Sequence, residues 1–177
     1  MCVDLTHIRC VDTRYPGASH DSHIWNLSNA RRYFQSKYQK GDRNTWILGD
    51  AGYPLEPWIM TPYRCAEAGS AKSTYNSRHS KTRNVVERTI GVLKNRFRCI
   101  LGARQLHYSP QKAAQIINVA CALHNICIHY RVLDNTNIPH FDIEDQEGSQ
   151  ENIGIDDSSS YQNVANAMRN NIRNTFV

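Results

Sequence analysis

No stretch of this 177-residue chain stays apolar for the ~20 residues that a membrane-crossing helix needs. The N-terminal Met-Cys-Val-Asp-Leu-Thr-His has neither a basic n-region nor an apolar h-region, so it does not read as a secretory signal. The six cysteines, at 2, 10, 65, 99, 121 and 127, include no CxxC pair. They read as unpaired thiols of a reducing compartment, mostly buried, with a zinc cluster as the minor alternative. There is no internal repeat, no helix-turn-helix reading element and no compact basic run of the nuclear-import kind. A hydrophobic content of 40% and an aromatic content of 9% fit one globular domain, and the length is enough to bury a core.

The charge is unevenly placed. Residues 1–133 carry 19 Lys and Arg against 8 Asp and Glu, a net of +11, whereas residues 134–177 carry 2 against 8, a net of −6. A folded part this basic points to a polyanion, because neutralising phosphates drives nucleic-acid binding. A merely solubilising surface is the plainer alternative. The expected division is a domain over 1–133 and an acidic, Asn/Ser-rich and largely disordered tail over 134–177, with a short terminal helix from about residue 160.

Along the chain, residues 6–15 partly alternate apolar and polar, as a half-exposed strand does. Pro16-Gly17 breaks it, and residues 21–38 form a helical pattern capped by Asp21 or Ser22. Trp46-Ile47-Leu48, set between glycine-containing turns, is too short for a helix and reads as a buried strand. Three prolines make residues 51–64 an irregular loop, and residues 67–80 read as a basic loop. Residues 82–97 carry a helical stripe at 86, 90, 93 and 97. Ser109-Pro110 then opens a core helix to about residue 130 as N-cap and N1.

Two acids stand out. Asp50 ends the short apolar strand, and Glu87 sits within the 82–97 helix. Magnesium takes hard oxygen ligands, binding through one or two carboxylates plus substrate phosphates. A two-metal phosphoryl-transfer site clamps attacking and leaving oxygens with ions about 3.5–4 Å apart. Acids from a strand end and from a covering helix meet that demand. The plainer readings are a turn aspartate bonding its own backbone for Asp50 and a helical ion-pair partner of Arg83 or Arg88 for Glu87. Gly91, one turn after Glu87, leaves room beside the carboxylate, although packing against a strand explains it equally well.

The motifs in order are Tyr15-Pro16-Gly17-Ala18-Ser19-His20-Asp21-Ser22, Leu48-Gly49-Asp50-Ala51-Gly52-Tyr53-Pro54-Leu55, Met60-Thr61-Pro62-Tyr63, Asn84 to Lys94 around Val86-Glu87-Arg88, Arg96-Phe97-Arg98 and Leu123-His124-Asn125. Over about residues 1–130 this series resembles the PIF/Harbinger transposases and Harbinger-derived nucleases, a DDE superfamily endonuclease domain. The resemblance implies an α/β ribonuclease-H-like fold, a mixed sheet flanked by helices. It also implies a divalent cofactor, Mg2+ or Mn2+, and water or a DNA 3′-hydroxyl attacking a phosphodiester. Asp50 matches the second catalytic Asp and Glu87 the catalytic Glu. The family's first Asp lies in an Asp-Gly-Thr-His-like motif well upstream of Pro-Gly-x-x-His-Asp. Only 11 residues separate Asp4 from Pro16. The expectation is therefore that the chain begins inside the domain without its first strands, and that the first ligand is missing. Asp4 is the low-ranked third ligand, with Asp12 and Asp21 behind it.

On that reading the chain alone is inactive, and the alternative is a non-catalytic DNA- or protein-binding remnant of a transposase. The DNA-contact set is Lys72, Arg78, Lys81, Arg83, Arg88 and Lys94. His124 and Asn125 are expected to make buried hydrogen bonds rather than bind metal, and Asp21 to cap its helix rather than support catalysis. The resemblance further implies a Myb-like DNA-binding partner and residence in the nucleus, with the cytoplasm as a second location.

Overall fold

The computed structural model describes residues 2–4, 6–15, 19–101, 108–132 and 159–176. Helices dominate an α/β chain that divides into two units, residues 1–17 with 84–144 and residues 18–83 with 145–177. The first is called here the hairpin unit and the second the sheet unit. Among the described residues no helix is long and apolar enough to cross a membrane.

In the hairpin unit, β1 (Cys2–Asp4) pairs antiparallel with β2 (His7–Cys10). Helix α4 (Pro110–His129) starts as the Ser-Pro pair predicts. Ser109 is the N-cap, its side chain accepts from the Lys112 N–H, and Pro110 sits in the first turn, where a missing N–H costs nothing. Ile8, Leu93, Ala120 and Cys121 form the core, with Val11, Phe97, Ile100 and Ile117 packed against it. Directed polar bonds add to that apolar contact. Asn125 Oδ1 accepts from Ile8 N at 2.9 Å and Asn125 Nδ2 donates to Ile8 O at 2.8 Å, so one side-chain amide pairs with a strand residue as a neighbouring strand would. His124, fully buried, donates from Nε2 to the Thr6 carbonyl at 3.0 Å. The expected hydrogen-bonding role is what the structure shows for both residues, with His124 buried and Asn125 half-buried.

In the sheet unit, β3 (Ile47–Leu48) lies parallel to β4 (Ile59–Met60). The pairing is bracketed by Ile47 N–H to Trp58 O and Gly49 N–H to Met60 O, each 2.9 Å. Strand β4 falls inside the stretch expected to be a loop. Its prolines, at 54, 57 and 62, flank the two paired residues without occupying them, so no ladder bond is lost. Gly49 is fixed by packing, because a Cβ there would lie 2.8 Å from Ile59 Cδ1 and 3.0 Å from Tyr53 Cβ.

The single helix expected over 21–38 is two, α1 (Asp21–Leu27) and α2 (Asn29–Gln39). Ser28 is extended at the junction, accepting from Arg31 N–H at 3.0 Å and donating to Trp25 O at 2.8 Å. The N-cap of α1 is His20, with no side-chain capping bond, so neither Asp21 nor Ser22 caps it. Helix α3 (Ala71–Arg96) begins eleven residues earlier than its apolar stripe predicts. Its first turns bury only Tyr75 and His79, one turn apart, and Ser70 Oγ accepts from Ser73 N–H at 3.2 Å. A helix with so narrow a buried line looks like a polar loop in sequence.

Helix α5 (Ser159–Asn174) lies where a short terminal helix was expected. Ala165 is fully buried beside Leu55 and Met60, with Met168 and Ile172 against the same cluster. Tyr161 packs on Trp58 at 5.4 Å between ring centroids, and Arg169 donates to the Thr61 and Pro62 carbonyls. Residues 134–158, the remainder of the expected acidic tail, lie outside the described residues. Among the described thiols Cys10, Cys65 and Cys99 are exposed, Cys127 is half-buried and Cys121 is buried, so most of these are not inside. The exposed ones sit at the end of β2, in a bend and in the short 3-10 helix Arg98–Ile100.

Candidate functional site

Asp50 leaves the C-terminal end of β3 and enters a turn. Its Oδ1 accepts from the Gly52 N–H at 2.9 Å, the Asx-turn bond of an acid two residues before its donor. Its Oδ2 lies 3.6 Å from Arg83 Nη2, and the side chain is 37% exposed. The plainer turn-aspartate reading is thus part of the geometry. One oxygen is held by the backbone, and the other is opposite a cation and reachable from solvent.

Asp21 approaches the same turn from the first turn of α1. A Cβ on Gly52 would stand 3.1 Å from Asp50 Oδ1 and 3.4 Å from Asp21 Oδ2, so this glycine keeps open the space between two carboxylates. Burial, and then the charge of Asp50, raise the Asp21 pKa, while Arg83 opposes the rise. The sequence reading favours Asp21 as a cap and ranks it behind Asp4 as a ligand; its meeting with Asp50 depends on the α1 packing, for which sequence spacing carries no signal. That packing has its own anchor. Trp25 Nε1 donates to Glu56 Oε2 at 2.8 Å, and Arg31 Nε and Nη2 donate to Glu56 Oε1 at 2.9 and 2.6 Å. Glu56 went unnoticed in the sequence because only the tertiary fold brings its partners together.

Glu87 is exposed on α3, one turn beyond Arg83 on the same side of that helix. Around Gly91 no described atom lies within 4 Å of an added Cβ, so no described neighbour requires a glycine there. Asp4 closes β1 opposite His7, and its side chain lies outside the described residues. Asp12 is bound by Arg14 at 2.6 and 2.9 Å, which lowers its pKa. Among the described residues no three His, Cys, Asp or Glu side chains converge as a metal-holding group.

The basic residues of α3 do not share one face. At about 100° per residue, Lys72, Arg83 and Lys94 project within about 40° of one another, while Lys81 and Arg88 project from roughly the opposite side. Lys72 and Arg78 are also engaged with aromatic rings, Lys72 over Tyr63 at 5.6 Å and Arg78 over Phe176 at 4.5 Å. His79, buried on the same helix, meets the Met60 carbonyl at 3.1 Å, and burial lowers its pKa.

Residues 1–125 match the DDE superfamily endonuclease family. The chain is similar to human "Putative nuclease HARBI1", 37% identical over 121 residues, which is 68% of this chain and 34% of that protein. The Xenopus laevis protein of the same name is 38% identical over 120 residues, 67% of this chain and 33% of that protein. An Arabidopsis thaliana protein, "Protein ALP1-like", is 33% identical over 90 residues, 51% of this chain and 22% of that protein. No solved structure matches. The chain therefore spans about a third of the length of the HARBI1 relatives, and it belongs to the Harbinger transposase-derived family of DDE superfamily endonucleases.

Proposed function

We propose that this chain carries part of the metal site of a DNA endonuclease, with Asp50 and Glu87 as carboxylate ligands of Mg2+ or Mn2+ in a ribonuclease-H-like domain. The observation that carries the reading is Asp50 itself. It stands at a strand end with one oxygen fixed by Gly52 N–H and the other part-exposed, in a turn that glycine keeps open. Hard carboxylate oxygens of this kind suit a small divalent cation. Such a cation, when bound, polarises the scissile phosphate and stabilises charge on its oxygens. The chain's own contribution is to hold the Asp50 carboxylate through Gly52 and to present Glu87 from the exposed side of α3. Lys72, Arg78, Lys81, Arg83, Arg88 and Lys94 are the proposed phosphate contacts, the two sides of α3 serving different stretches of backbone. We further assign a nuclear location and a separate Myb-like partner that confers DNA sequence specificity; both rest on the family resemblance.

A second reading, non-catalytic DNA binding, is supported by the finding that among the described residues no three His, Cys, Asp or Glu side chains are placed to hold a metal ion. Two carboxylates hold a single ion weakly and do not fix a pair. The expected behaviour of the 177-residue chain is thus salt-sensitive binding to duplex DNA without cleavage in Mg2+ or Mn2+. Fluorescence anisotropy across a salt series, with gel assay of the same samples, tests this. Replacing Lys72, Arg78 and Lys81 with alanine should lower the salt slope by up to about 3. An unchanged slope removes those three from the interface. Cleavage that disappears in Asp50→Ala and Glu87→Ala would overturn the inactivity and point to Asp4 as third ligand.

A further inference from the structure

The cation beside Asp50 in this protein is a side chain. Arg83 Nη2 lies 3.6 Å from Asp50 Oδ2, past hydrogen-bonding distance, and both side chains are part-exposed, at 28% and 37%. A pair of this kind is weak and opens readily. Its position gives it importance. Gly52 N–H holds Asp50 Oδ1, so Oδ2, the oxygen left for another ligand, is the one that faces the guanidinium. Asp21 brings a second carboxylate to the same turn across Gly52. Two acids converge there, and Arg83 balances their charge from a backbone fixed in α3.

We propose that Arg83 is a built-in competitor for the divalent cation at Asp50. Its guanidinium neutralises the Asp21–Asp50 pair in the metal-free protein and must move aside when a metal ion takes Oδ2. The inference rests on the reading of Asp50 as a metal ligand. It makes Arg83 a positioning residue: it shields the acid pair from mutual repulsion without metal, and it weakens metal affinity. It also separates Arg83 from the other bases of α3. Lys81 and Arg88 are exposed and can meet phosphate in the metal-free protein, whereas Arg83 is held by a carboxylate until metal arrives.

Mn2+ titration of the whole chain, followed by the electron paramagnetic resonance signal of unbound Mn2+, tests the proposal. Wild type, Arg83→Ala, Arg83→Gln, Arg83→Lys and Asp50→Asn are compared. Breaking the attraction between two unit charges about 4 Å apart in solvent, as the metal must do to the Arg83–Asp50 pair, is worth about fivefold in affinity. Arg83→Ala and Arg83→Gln should therefore bind Mn2+ about fivefold more tightly than wild type, and Arg83→Lys should stay close to it. A purely structural role predicts the opposite sign, because a loosened turn binds metal less well. Unchanged or weaker binding in both neutral variants, with Asp50→Asn still abolishing the site, overturns the competition and leaves Asp50 as a ligand. No binding in any chain, or binding indifferent to Asp50→Asn, overturns the ligand reading, and the inference falls with it.

Discussion

His124 and Asn125 in the hairpin unit and Asp50 in the sheet unit all belong to family motifs, yet their polar atoms are used in opposite ways. The first two bond the backbone of Thr6 and Ile8 at 2.8–3.0 Å, and His124 is fully buried. Asp50 has one oxygen tied by Gly52 and another that faces a loosely held arginine, part-open to solvent. Satisfied buried groups stabilise a fold because nothing else there can pair with their partners. A carboxylate left with capacity at a strand end, beside a second acid, adds little to stability and is available to a ligand. Recurrence of a residue in a family pattern thus covers two kinds of residue, and hydrogen-bond geometry separates them.

Substitutions can break that contrast. The largest loss is expected for Asn125→Ala, which leaves both Ile8 N–H and Ile8 O without their partner; about 3 kcal/mol of stability should be lost in urea unfolding. If Asn125→Ala unfolds like wild type, the side-chain pairing with β2 is not what holds the hairpin. Next comes Ala165→Asn, which places an unpaired amide in the fully buried α5 contact and should cost about 2 kcal/mol; limited proteolysis should then cut within α5 sooner than in wild type.

A smaller, pH-dependent effect belongs to His79. Burial depresses its folded pKa below the ordinary value of 6.5, so the unfolded chain takes up the proton first. Its contribution to stability is present above pH 6.5 and is lost as pH falls from there through the folded pKa. His79→Gln should flatten the stability profile below pH 6.5, measured by thermal melts at stepped pH; an unchanged slope would assign it elsewhere. The smallest stability change is expected for Asp50→Asn, which keeps the acceptor for Gly52 N–H: under about 1 kcal/mol. A loss as large as that of Asn125→Ala would make Asp50 a structural residue like the others.

The parts of the fold that were legible in sequence have local signatures. Ser109-Pro110 marks the start of α4 because capping and a missing N–H act within one turn. Ile47-Leu48 between glycine-bearing turns marks β3. The first turns of α3 carry no such mark, since only Tyr75 and His79 point inward. Strand β4 hides among prolines that happen to flank it. Ser28 divides α1 from α2 through bonds to Trp25 and Arg31 that a continuous helical pattern masks. Asp50 and Glu87 were picked out by pattern and by resemblance. The approach of Asp21 to Asp50, and the Trp25–Glu56–Arg31 anchor beneath it, depend on long-range packing that no spacing rule contains.

The claim that Asp50 is a metal ligand is tested most directly by Mn2+ paramagnetic broadening in a 15N–1H spectrum of the whole chain. The amide of Gly52, bonded to Asp50 Oδ1, is the reporter. Selective loss of the Gly52 and Asp21 amide signals at substoichiometric Mn2+, abolished in Asp50→Asn, is the expected result. Broadening that spares Gly52, or that persists unchanged in Asp50→Asn, would contradict it.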